Sequence, residues 1–118
     1  VWVDHFRNGQ PALAQLLAQD VVLIHPWILA ELACGTPPAP RRRTLDDLAR
    51  LRPAVQASQA ELLDFIERER LHGMGCGMVD VALLAGTLLT PRARLWTLDK
   101  RLAVLADRYD VAYRPVIA

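Results

Sequence analysis

The chain has 118 residues, 14 basic against 13 acidic, and a formal net charge of +1. That length fits one domain spanning 1–118 and is too short for two independent cores, and the 53% hydrophobic content excludes a disordered chain. No apolar run approaches the ~20 residues of a bilayer span, and the near-neutral charge excludes a strongly basic nucleic-acid coat while allowing a local basic patch.

Two cysteines, Cys34 and Cys76, make no disulfide framework. With no opening signal segment, the expectation is a reduced cytoplasmic protein, no membrane, and both thiols used as small core residues. Val1-Trp2-Val3 is β-rich and reads as the tail of a strand. Asn8-Gly9 marks a turn, and Pro11 with Leu13, Leu16 and Leu17 predicts a helix over 11–19. Val21-Val22-Leu23-Ile24 has the pattern of a strand buried on both faces. A helix over 27–34 follows, stopped by Gly35, then a proline-rich loop over 36–40 and the run Arg41-Arg42-Arg43.

Thr44 and Asp47, and again Ser58 and Glu61, stand at capping-box spacing. They predict helices starting at 44 and 58. The first stops before Pro53, and the second runs to about Arg70 with Leu62, Leu63, Phe65 and Ile66 as its buried stripe. Three glycines make a loop of 71–77. A strongly apolar helix over 78–89 ends before Pro91, a short strand covers 94–97, a helix covers 99–108, and a last strand covers 111–114. Strands alternating with helices at both ends argue for an α/β fold with a parallel sheet and helices on both faces.

Phosphate-binding glycine loops and zinc-type Cys or His pairs are absent, and Ser58, the one serine, is at a helix start. Carboxylates remain. Glu31 and Asp80 each sit among apolar neighbours, and Asp99 follows a strand directly, where an open parallel sheet binds ligands. Burying an ionised carboxylate costs several kcal/mol unless compensated, and a hard divalent cation would compensate two acids at once. Taken singly, each acid has another reading. Glu31 could pair with an arginine, Asp80 could favour the dipole of its helix, and Asp99 could be an N-cap.

These segments resemble the PIN-domain ribonucleases, specifically the VapC-type toxins of bacterial toxin–antitoxin pairs. The resemblance covers nearly the whole chain. It is carried by Val1–Arg7, by His25-Pro26-Trp27-Ile28-Leu29-Ala30-Glu31-Leu32, by Gly75-Cys76-Gly77-Met78-Val79-Asp80, and by Leu95-Trp96-Thr97-Leu98-Asp99-Lys100-Arg101-Leu102. It implies a three-layer α/β/α fold with a central parallel sheet and a helical insertion. It implies an endoribonuclease toxin that uses Mg²⁺ or Mn²⁺ to activate water against RNA phosphodiesters, without a protein nucleophile. Glu31, Asp80 and Asp99 match the family's metal-site acids, and Thr97 matches a hydroxyl beside the last acid. Asp4 matches a secondary position, at the rim. A homodimer and a cognate antitoxin are the implied partners, with the helices of 44–51 and 58–70 forming an apolar groove for a partner segment.

The family's first acid precedes the Val-Trp pair, so the resemblance further implies a start upstream of Val1 and weak metal binding and poor cleavage without it. The alternative is a catalytically impaired PIN-fold interaction protein. Arg41, Arg42, Arg43, Lys100 and Arg101 could meet RNA phosphates or stand as solvated charge. His25 and His72 read as structural or solvated, and Trp2, Trp27 and Trp96 read as core anchors, with one of them able to serve a partner surface instead.

Overall fold

A computed structural model describes residues 1–115. They form an α/β arrangement of seven helices with one small parallel sheet, as the alternation of elements predicts. Two compact units divide the chain, Val1–Pro53 and Ala54–Ala118.

The first unit opens with α1 (Trp2–Asn8), where a strand tail was expected. Trp2, His5 and Phe6 recur at helical spacing, and their ring centroids lie 6.0–6.2 Å apart on one face. Helical hydrogen bonds such as His5 N–H to the Val1 carbonyl (2.9 Å) satisfy backbone that a lone three-residue strand would leave unpaired. Gly9 ends α1 with a positive φ of 71°, and Pro11 begins α2 (Pro11–Ala18) at its first turn.

The strand expected over 21–24 contracts to β1 (Leu23–Ile24), paired in parallel with β2 (Arg52–Pro53). It is not buried on both faces: Val21 is 58% exposed, and Ile24 alone is buried. Pro53 stands opposite Ile24 and has no N–H to extend the ladder.

Pro26 opens α3 (Pro26–Cys34), with the His25 ring accepting the Trp27 N–H at 3.1 Å as its cap. Helix α4 (Arg41–Ala49) begins three residues earlier than the Thr44 box predicts, with Pro40 at its N-cap. Thr44 caps nothing. It lies inside the helix, and its hydroxyl donates back to the Pro38 carbonyl, ahead of α4, at 2.8 Å.

In the second unit the Ser58 box is formed in full. The Ser58 hydroxyl accepts the Glu61 N–H at 3.1 Å, and the Glu61 carboxylate accepts the Ser58 N–H at 3.0 Å, opening α5 (Gln59–Glu69). Leu62 and Phe65 are buried and Ile66 packs against them. Leu63, one residue off that face, is 54% exposed rather than part of the stripe.

Helix α6 (Met78–Leu89) buries six residues between Val81 and Thr87, Gly86 among them, and α7 (Lys100–Arg108) joins the same core cluster through Leu102 and Leu105. Leu84, Leu102 and Leu105 are the largest fully enclosed side chains. Tyr109 ties the end of α7 to α5 by donating its hydroxyl to Glu69 at 2.7 Å. The two strands expected over 94–97 and 111–114 reduce to one parallel bridge, Leu95 with Ala112.

Two further expectations are corrected in part. Cys34 is exposed and no core thiol, whereas Cys76 is half-buried and packs against the core cluster. Trp27 is 48% exposed, and Trp2 and Trp96 are only half-buried. The helices of 44–51 and 58–70 belong to different units. Among the described residues no helix is long and apolar enough to cross a membrane.

Candidate functional site

In the second unit the loop between α5 and α6 is met by Asp80 from α6 and by Arg101 from α7. Gly73 and Gly75 both adopt positive φ (74° and 81°), a conformation that favours glycine, and Gly77 caps α6. Asp80 occupies the third position of α6, half-buried, and its Oδ2 accepts the Gly77 N–H at a long 3.4 Å. Asp99 is the N-cap of α7, where its Oδ1 accepts the Leu102 N–H at 2.9 Å. The Asp99 N–H is donated to the Thr97 hydroxyl at 3.1 Å, so Thr97 fixes the backbone that carries the acid.

The Cys76 thiol is pushed above the ordinary value, first by burial and then by the negative charges of Asp80 and Asp99, with Arg101 opposing. Arg101 reaches back from α7 to donate to the Gly75 carbonyl at 3.3 Å.

The acids are less enclosed than their neighbours in sequence imply. Glu31 is exposed, and α3 contains no fully buried residue. Ile28, Leu29 and Leu32 are half-buried, and Glu31 is not. Asp99 is exposed as well. The N-cap reading of Asp99 and the first-turn reading of Asp80 are both realised. An arginine partner for Glu31 is not: the ion pairs among the described residues are Asp47–Arg50, Asp64–Arg68 and Asp107–Arg114.

Glu31 and Asp4 belong to the first unit. Asp4 is engaged locally, accepting the Asn8 amide on Oδ1 (2.9 Å) and the Gln10 amide on Oδ2 (3.0 Å), and those two bonds hold its carboxyl below the usual range. His25 is buried and its imidazole is held toward the neutral form by that burial, in keeping with a structural role. His72 is exposed in its loop.

No group of three His, Cys, Asp or Glu side chains able to hold a metal is gathered among the described residues. The donor set of the second unit still fits a hard cation. Asp80 and Asp99 each commit one carboxylate oxygen to a helix-start N–H, and neither is in an ion pair. Mg²⁺ in particular is commonly held by one or two carboxylates, with water and phosphate oxygens completing its shell.

One feature escaped the sequence. Arg101, one of five cations read as RNA contacts or as solvated charge, is docked on the Gly75 loop, 26 positions away. A contact of that range leaves no local pattern.

No family model matches the chain, and no solved structure matches it. Two curated proteins do. Ribonuclease VapC32 of Mycobacterium tuberculosis strain CDC 1551 / Oshkosh and Ribonuclease VapC32 of strain ATCC 25618 / H37Rv are each 39% identical to it over 112 residues, covering 95% of this chain and 90% of theirs. Identity at that level along nearly the whole of both sequences, on top of the Asp80 and Asp99 motifs, means that the chain belongs to the VapC-type ribonuclease toxins.

Proposed function

We propose that this chain is a metal-dependent endoribonuclease toxin that cleaves RNA phosphodiesters and is neutralised by a cognate antitoxin. The observation that carries this reading is the 39% identity to Ribonuclease VapC32 over 95% of the chain. Asp80 and Asp99, each held at a helix start by a backbone N–H, are the acids of the matching motifs. In this reading the fold is PIN-like, with three layers and a central parallel sheet, and the chain works in the cytoplasm as a homodimer.

Asp80, Asp99 and Glu31, the acids of the family pattern, would hold a Mg²⁺ or Mn²⁺ ion, with Asp4 as a secondary acid. The chemistry such an ion would supply is activation of water and neutralisation of charge at phosphorus. The protein's share is placement. Thr97 and the Leu102 N–H fix Asp99 from two sides, and the Gly77 N–H orients Asp80. Fixing ligands in advance through their hydrogen-bond partners lowers the reorganisation needed on binding.

The test is cleavage of a fluorescent single-stranded RNA by the purified chain. EDTA should abolish cleavage and Mg²⁺ or Mn²⁺ should restore it. Glu31→Gln, Asp80→Asn and Asp99→Asn should each lower the rate at least ~100-fold while circular dichroism is unchanged. Absence of cleavage with either metal would favour the impaired interaction protein.

A further inference from the structure

Arg41, Arg94 and Arg101 are exposed guanidiniums that donate to backbone carbonyls and join no ion pair among the described residues, and Arg101 is the one that stands two positions after Asp99. Its guanidinium lies across the glycine loop, donating to the Gly75 carbonyl at 3.3 Å. Gly75 makes the space for it: a Cβ on that residue would come within 2.8 Å of both the Cδ and an Nη atom of Arg101. The positive φ of 81° at Gly75 disfavours a side chain there independently. Among the described residues Arg101 is in no ion pair, and it lies in the first turn of α7, whose N-cap is Asp99.

A guanidinium anchored on a backbone carbonyl, rather than spent on a carboxylate, keeps the rest of its N–H fork for another acceptor. The fork matches phosphate oxygens in geometry and in charge. A phosphate drawn to the Asp80–Asp99 pair would otherwise meet two negative groups. We propose that Arg101, seated in the cradle that Gly75 leaves open, grips a phosphate of the RNA beside the Asp80–Asp99 pair. This rests on the reading of the chain as an RNA-cleaving enzyme. Arg101 binds the substrate and takes no part in the bond breaking.

The test is steady-state cleavage of a fluorophore-labelled single-stranded RNA by the full chain with Mg²⁺. Arg101→Ala should raise KM by about tenfold with kcat held within about twofold, the signature of binding shared by ground and transition states. Arg101→Lys should recover only part of the loss, because an ammonium keeps the charge and not the fork. Gly75→Ala, which displaces the guanidinium without removing it, should move KM in the same direction. Arg108→Ala makes the same charge change further along α7 and should leave both constants as they were.

If the parent chain cleaves RNA and Arg101→Ala has its KM, the inference is overturned. If the parent chain cleaves no RNA, the functional reading fails on its own. Polarisation of the same labelled RNA, without metal, then decides on Arg101: about tenfold weaker binding by Arg101→Ala supports the grip, and equal binding removes it.

Discussion

The hydroxyl of Thr97 accepts the backbone N–H of Asp99 at 3.1 Å, and the Asp99 carboxylate in turn accepts the N–H of Leu102 at 2.9 Å. The acid is thus both a helix cap and a candidate metal ligand, and two substitutions separate these tasks. Asn caps as well as Asp, so Asp99→Asn should unfold like the parent while losing metal-dependent cleavage. Asp99→Ala should lose cleavage and about 1 kcal/mol of stability besides. Denaturant melts of the two variants, set beside their cleavage rates, check this.

The thiol of Cys76 offers a readout that needs no activity. Asp80 and Asp99 raise its pKa and Arg101 lowers it. In a Cys34→Ser background, which removes the exposed thiol, iodoacetamide should modify Cys76 slowly near neutral pH. Asp80→Asn and Asp99→Asn should each speed the reaction by lowering the pKa, and Arg101→Ala should slow it. The pH-rate profile of alkylation measures the direction of each shift.

The capping box at α5 predicts a pH effect on stability. The carboxyl of Glu61 is held below the ordinary carboxylate value, first by the Ser58 N–H and then by the Ser58 hydroxyl. A depressed folded-state pKa means that the contribution is present above the ordinary value and is lost as pH falls through the folded one. Glu61→Gln should therefore flatten the acid limb of the stability curve. Ser58→Ala should cost about 1 kcal/mol at neutral pH. Urea melts between acid and neutral pH measure both.

Much of this molecule is legible residue by residue where the determinant is local. The Ser58 box, the Asp99 cap, the Pro91 stop and the apolar α6 are set by groups a few positions apart, and each appears as expected. Thr44 shows the limit of that reasoning. Its spacing to Asp47 is right for a box, yet Pro40 with its fixed φ starts the helix upstream, and the hydroxyl turns to Pro38 instead. Val1-Trp2-Val3 fails for another reason. β-propensity describes fit to a pleated surface, and here the aromatic spacing of Trp2, His5 and Phe6 favours one face of a helix.

At the candidate site, motif and setting point to Asp80, Thr97 and Asp99. The apolar surroundings of Glu31 and Asp80 suggest more burial than they have, because apolar neighbours in sequence do not fix which face of a helix is covered. Glu31 illustrates this, exposed on α3 while Ile28, Leu29 and Leu32 are half-buried. The seating of Arg101 on Gly75 depends on a left-handed glycine meeting a side chain from another helix. Neither residue announces that alone.

The central claim is that the carboxylates of Asp80 and Asp99 serve one divalent cation, and Mn²⁺ binding read by electron paramagnetic resonance tests it without RNA. Free Mn²⁺ should lose its signal on addition of the chain, and Asp80→Asn and Asp99→Asn should each weaken binding by at least about tenfold. The double variant should be little worse than either single one, since both remove the same ion. Undiminished Mn²⁺ binding by the folded double variant would contradict the account.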